Sequence, residues 1–139
     1  MCLISNTNTP LIAEEDIVVY KILMRKNGKD YAPVVSEDYC EQPHYIYKKG
    51  VNKARLKEDV QEWTSINCYY RIGKGFLHAY TTKDIAEINC NRWNAWMGKN
   101  NLSTGGKYHF VVRMIIPKGT EYFNSVEGDE ICAKQLIWE

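Results

Sequence analysis

Apolar residues along this chain fall mostly in short runs separated by turn residues. Ile17-Val18-Val19-Tyr20-Lys21-Ile22-Leu23 is rich in β-branched side chains and is one strand long. Lys26-Asn27-Gly28-Lys29-Asp30 follows, and its Asn-Gly pair supplies the positive φ angles of a type I′ turn. With the return run Tyr31 to Val35, this predicts a hairpin over 17–35. Tyr45-Ile46-Tyr47, punctuated by Pro43 and Gly50, predicts a short strand. Leu56, Val60 and Trp63 are spaced i, i+4, i+7. That spacing predicts a helix over 52–64 with Asn52 as its N-cap, although the cations of its first turn oppose the macrodipole. Ile66 to Ile72 and Gly75 to Tyr80 predict two strands around a Gly73-Lys74-Gly75 turn.

Thr81 and Thr82 stand where a helix cap belongs. Ile85, Ile88, Trp93 and Trp96 then recur at helical spacing and predict a helix over 83–97, ended at Gly98. Residues 98–107 have loop composition. Tyr108 to Ile116 is the clearest strand, and its unbroken apolar stretch predicts a central position with both faces buried. Pro117-Lys118-Gly119 breaks it, 120–123 predicts a short strand, and Glu127-Gly128-Asp129 predicts a turn. From 130 to 138 the pattern alternates, with Glu130, Cys132, Lys134 and Leu136 on one face. The sum is an α+β fold with a mostly antiparallel sheet of about six to eight strands and one or two helices. Residues 1–13 read as an irregular N-terminal lead-in and 14–139 as a single α+β domain.

Composition narrows the function classes. The chain has 139 residues, and 18 Lys+Arg against 17 Asp+Glu leave a net charge of +1. With 45% hydrophobic residues, it has enough apolar content to fold, which argues against disorder. No apolar run approaches the length of a membrane span. Near-zero net charge removes the main argument for a general nucleic-acid binder. The start, Met1-Cys2-Leu3-Ile4-Ser5, lacks the charged and long apolar regions of a secretory signal. Cys2, Cys40, Cys68, Cys90 and Cys132 are scattered and odd in number, with no CxxC. They predict reduced thiols in a cytoplasmic protein, several of them buried, rather than a disulfide scaffold or a zinc knuckle.

Few motifs carry chemistry. Gly73-Lys74-Gly75 lacks the spacing of a phosphate loop and reads as a turn. His44, His78 and His109 show no metal-ligand spacing, so no metal site is expected. Cys68 and His78 are near in sequence, but nothing marks either as an activated pair. Lys48, Lys49, Lys53, Arg55 and Lys57 concentrate cations beside Tyr45, Tyr47, Tyr69 and Tyr70. Such a mixture binds single strands by phosphate pairing and stacking; the plainer reading is a solvated helix face with Lys–Glu partners.

Three blocks together carry a resemblance: Tyr20-Lys21 in a strand, Gly75-Phe76-Leu77-His78-Ala79-Tyr80-Thr81-Thr82 running into a capped helix, and Ile116-Pro117-Lys118-Gly119 before a final strand. With the Met-Cys-Leu start, this layout resembles small uncharacterised proteins of phages, prophages and Bacteroides-type genomes. It also resembles the ADP-ribosyltransferase split β-fold. That second resemblance implies NAD as cofactor and Glu130 as the catalytic carboxylate, with Tyr20, Lys21, His78, Tyr80 and Thr81 near the ligand. Tyr20-Lys21 stands where that family carries Arg or His.

Three readings follow. The first is a phage-related accessory protein that binds a protein or small molecule without a cofactor, using Tyr and Trp surfaces. The second is an NAD-dependent transferase acting through Glu130. The third is a weak nucleic-acid binder through 45–57. No membrane partner is expected.

Overall fold

Period-two alternation governs most of the chain, and one capped segment escapes it. The computed structural model describes residues 3–33, 45–64, 69–99 and 108–139. The strands are β1 (Leu3–Ser5), β2 (Leu11–Ile12), β3 (Ile17–Lys26), β4 (Lys29–Tyr31), β5 (Ile46–Tyr47), β6 (Gly50–Lys53) and β7 (Val60–Thr64). They continue as β8 (Tyr69–Ile72), β9 (Leu77–Tyr80), β10 (Tyr108–Ile116), β11 (Glu121–Asn124), β12 (Glu130–Ala133) and β13 (Gln135–Trp138). A helix, α1 (Lys83–Lys99), lies between β9 and β10. The fold is therefore mostly antiparallel sheet with one helix among the described residues. Its 13 strands exceed the expected six to eight, because several are only two to four residues long. Residues 1–13, expected to be irregular, contribute β1 and β2.

A ten-stranded sheet runs β2-β11-β12-β9-β3-β10-β13-β6, with β4 bonded to β3 and β5 bonded to β4. A second sheet runs β1-β8-β7. Asn27 and Gly28 both adopt positive φ, as the predicted turn requires, and β4 returns along β3. The remainder of the predicted return run, 34–35, lies outside the described residues, as do Cys2, Cys40, His44, Cys68 and the loop positions 100–107.

The β3–β10 ladder is continuous from Ile17–Ile116 to Arg25–Tyr108. One face of it carries Val19, Leu23, Met114 and Ile116 into the main core. That core also takes Leu77 and Ala79 of β9, Ile131 and Ala133 of β12, Leu136 of β13, and Tyr45 and Tyr47. The other face presents Tyr20, Ile22 and Val111 to α1. Two-sided burial of β10 holds only beneath the helix: Arg113 on the same face is exposed.

Two expectations fail for reasons that are not local. The helix over 52–64 is instead β6, an irregular stretch with a bend at Leu56, and β7. Asn52 does not cap anything. It is fully buried, accepts from the Lys48 backbone N–H at 3.1 Å and donates to the carbonyls of Lys48 (2.9 Å) and Leu136 (3.4 Å). It thereby fastens the β5–β6 corner to β13. Leu56, placed on the apolar face of the expected helix, is 41% exposed. The single strand over 130–138 is two strands. Ile131, Cys132 and Ala133 are buried consecutively, which breaks the alternation. At Lys134 the backbone bonds Glu121 O and Ala54 N, and the chain steps from β11 and β9 to β10 and β6.

α1 starts where the sequence places it. Thr82 Oγ1 accepts from Ile85 N at 3.3 Å, and Thr82 O accepts from Ala86 N at 3.2 Å. The packed face is Ala86, Cys90 and half-buried Trp93; of the four expected residues Trp93 packs there, Ile85 is half-buried, and Ile88 and Trp96 are exposed. Small side chains at 86 and 90 let the helix approach β3 and β10 closely. No described helix is long and apolar enough to cross a membrane.

Candidate functional site

Strand register assembles part of the expected site. Tyr20 pairs with Tyr80 across β3–β9, and Tyr80 pairs with Glu130 across β9–β12. Arg113 on β10 pairs with Tyr20 and extends the row. Directly opposite residues share a face, with Cβ atoms about 5 Å apart. Arg113, Tyr20, Tyr80 and Glu130 therefore cross four strands on the helix-bearing face, spanning roughly 14 Å. Burial and the carboxylates of Glu130 and Asp129 raise the Tyr80 phenol well above its ordinary range. Burial, with Asp129 and Glu127 adding repulsion, pushes Glu130 up to about 7.

The other expected ligand residues are committed elsewhere. Lys21 is buried on the opposite face, where its Nζ donates to the His78 carbonyl and lies 5.0 Å from the centre of the Tyr47 ring. His78 Nε2 bonds the Gly73 carbonyl at 2.9 Å, fixing the β8–β9 turn. Thr81 Oγ1 donates to Gly128 O at 2.8 Å and ties the start of α1 to the β11–β12 turn. The structure thus brings together Tyr20, Tyr80 and Glu130, and does not add Lys21 or Thr81 to them.

The basic stretch is not a helix face. Lys48 and Lys49 form the β5–β6 corner, Lys53 ends β6, and Arg55 and Lys57 flank a bend in the irregular chain that follows. Two of its four tyrosines are covered: Tyr45 and Tyr47 are buried, and Arg55 sits 5.3 Å over the Tyr45 ring. Lys49 lies 5.0 Å over Trp138 and donates to the Glu139 carbonyl at 2.7 Å. Tyr45 and Tyr47 are thereby withdrawn from base stacking, while Tyr69, Tyr70 and Trp138 are half-buried.

A different constellation lies between α1 and β10. A cleft of about 330 Å³ is lined by Glu87, Cys90, Asn91, Asn94, His109 and Val111. Asn94, one turn beyond Cys90, clamps His109. Its Oδ1 accepts from the His109 backbone N–H at 3.0 Å and from Nδ1 at 3.1 Å, while its Nδ2 donates to His109 O at 3.2 Å. A flipped amide would lose both backbone bonds, so the orientation is determined. Nδ1 then carries the proton, and Nε2 presents a bare lone pair. That Nε2 is buried and has no hydrogen-bond partner among the described residues. Burial lowers the His109 pKa to about 4, so the ring is neutral near pH 7. The edge of Trp93 packs against the ring, with centroids 5.8 Å apart.

No protein family, curated protein or solved structure matches the chain. Chemistry must therefore be argued from the side chains alone. Cys90 is not poised as a nucleophile: burial and the Glu87 carboxylate both raise its pKa, and Asn94 Nδ2 donates to its sulfur at 3.8 Å. Among the described residues, no group of three or more His, Cys, Asp or Glu is placed to hold a metal ion. What the cleft offers is hydrogen-bond acceptance in a mostly polar lining that includes Val111.

Sequence reasoning missed this site because its members lie on two elements. Two signals were available: Cys90 and Asn94 are one turn apart on a well-marked helix, and His109 is the second residue of the clearest strand.

Proposed function

We propose that this protein binds a small molecule in the α1–β10 cleft, without covalent chemistry. The observation that carries this reading is the His109 Nε2 lone pair, buried and without a partner among the described residues, on a side chain that lines an open cleft. Leaving a buried acceptor unsatisfied costs about 1–3 kcal/mol, which a ligand donor offsets. The cleft volume lies at the low end of small-molecule sites, and its walls combine Val111 with a few polar groups. A fragment screen followed by amide NMR tests it. Hits should move the resonances of Cys90, Asn94, His109 and Val111 together. Asn91→Trp, which fills the exposed rim, should abolish those shifts while keeping the melting temperature. A screen whose hits all map elsewhere rejects the reading.

A second reading is favoured by the cross-strand row. Arg113 at one end and Glu130 at the other, with two tyrosines between, offer a cation for phosphate and a carboxylate for ribose hydroxyls. This arrangement supports the NAD-dependent alternative. It expects millimolar NAD to raise the melting temperature and Glu130→Gln to abolish NAD turnover in a folded protein. No thermal shift with NAD counts against it.

A further inference from the structure

The geometry points to a compact organic cation bearing N–H donors, an amine or amidine, as the ligand class of the α1–β10 cleft. The inference rests on that cleft being a binding site and concerns what it selects. Among the described residues its lining contains one charged side chain, Glu87, and this is an anion. His109 is clamped so that only an acceptor atom is left over, because Asn94 has taken its Nδ1 proton and both backbone groups. His109 as a whole is only 5% exposed. Asn94 itself is spent: its oxygen accepts twice, and its nitrogen donates to His109 O and Cys90 Sγ. The described lining therefore combines an exposed carboxylate with a histidine whose buried Nε2 still needs a donor.

A ligand N–H⁺ meets both needs. It supplies the donor that Nε2 lacks, and its charge pairs with Glu87. An anionic ligand meets neither, since it brings only acceptors to Nε2 and repels Glu87. A neutral alcohol satisfies the imidazole alone and ranks between them. Glu87 already makes a 3.7 Å contact to Lys83, one turn earlier on α1, but both side chains are at least half exposed. Such a surface pair is weak and exchanges readily for a ligand cation. Nε2 itself is shielded in the unliganded cleft, so an entering donor must displace what covers it.

Matched probes test this: benzylamine, benzyl alcohol and benzoate, titrated into the full chain by calorimetry and amide NMR. Benzylamine should bind most tightly, the alcohol roughly 10-fold more weakly and benzoate not measurably. Glu87→Gln alters an exposed residue and should leave the melting temperature in place while erasing the preference for the amine over the alcohol. His109→Phe removes the acceptor and should abolish amine binding. If that variant fails to fold, Glu87→Gln still decides. Benzoate binding as tightly as benzylamine, or a Glu87→Gln variant that keeps the full preference, overturns the ligand class while the cleft remains a binding site. If none of the probes and no fragment moves a cleft resonance, the binding reading itself falls, and this inference with it.

Discussion

Gly75→Ala should destabilise the protein by about 3–4 kcal/mol, lowering the melting temperature by roughly 10–15 °C for a chain of this size. Gly75 has φ +96, a left-handed conformation that costs a residue with Cβ about 1 kcal/mol or more. Sterics add the larger share. A Cβ there would lie 2.6 Å from Glu58 Cα and 2.8 Å from both Glu58 N and Lys57 O. All three are backbone atoms, and they cannot swing away. The approach is close because the β8–β9 turn is stitched to this segment: Asp59 N donates to Lys74 O at 2.9 Å, and Gly73 N donates to Asp59 O at 2.8 Å. Gly128 is the internal control. Its φ is +81, but nothing lies within 4 Å of its added Cβ, so Gly128→Ala should cost only about 1 kcal/mol. Equal losses for the two variants in chemical denaturation would reject the packing argument. The turn also sets β9, so its distortion should propagate to Tyr80 and the row beyond it.

The contrast between what local chemistry announced and what it hid is physical. The hairpin at Asn27-Gly28 and the cap at Thr82 were legible because their determinants sit within four residues of one another. The 52–64 region was misread because the partners that decide it are remote. Asn52 bonds Leu136 O, 84 residues away, and apolar spacing alone carried no trace of that bond. The strand break at Lys134 is similar. Side chains 130 to 137 alternate convincingly, yet a one-residue slip puts Ala133 and Leu136 in the same core. For the site, the ADP-ribosyltransferase resemblance named Tyr20, Tyr80 and Glu130, and antiparallel register places them in one row. Arg113 was missed because nothing in its own strand distinguishes it. His109 was dismissed for lacking a nearby metal-type partner, whereas its partner is an asparagine 15 residues earlier. A histidine becomes informative when its tautomer is fixed, and tautomers are set by tertiary hydrogen bonds.

Glu130→Gln should raise stability at pH 8 by about 2 kcal/mol and leave it unchanged near pH 4.5. The Glu130 carboxyl sits at about 7 in the folded chain against an ordinary 4.5. Its contribution to folding is therefore whole below pH 4.5 and is lost as pH rises through 7. His109 works the other way. Its folded value of about 4 lies below the ordinary 6.5, so its contribution is whole above pH 6.5 and is lost as pH falls toward 4. Each gap corresponds to ~3 kcal/mol before screening, and residual solvent contact reduces the Glu130 share to about 2 kcal/mol. Between pH 4.5 and 6.5 the two slopes oppose, so the native protein should show nearly flat stability there. Gln mimics the protonated carboxyl at every pH and removes only the Glu130 slope. Denaturation of Glu130→Gln should then show stability climbing from pH 4 to 6.5 and holding to pH 8, the profile of His109 alone. Urea melts at four pH values separate the outcomes. A variant stabilised equally at pH 4.5 and 8 has lost something other than a buried charge, and one no more stable at pH 8 means that Glu130 is solvated. The measurement also bears on function. A Glu130 carboxylate found to cost stability when ionised would strengthen the NAD-dependent reading, in which it stands in register with Tyr80, Tyr20 and Arg113.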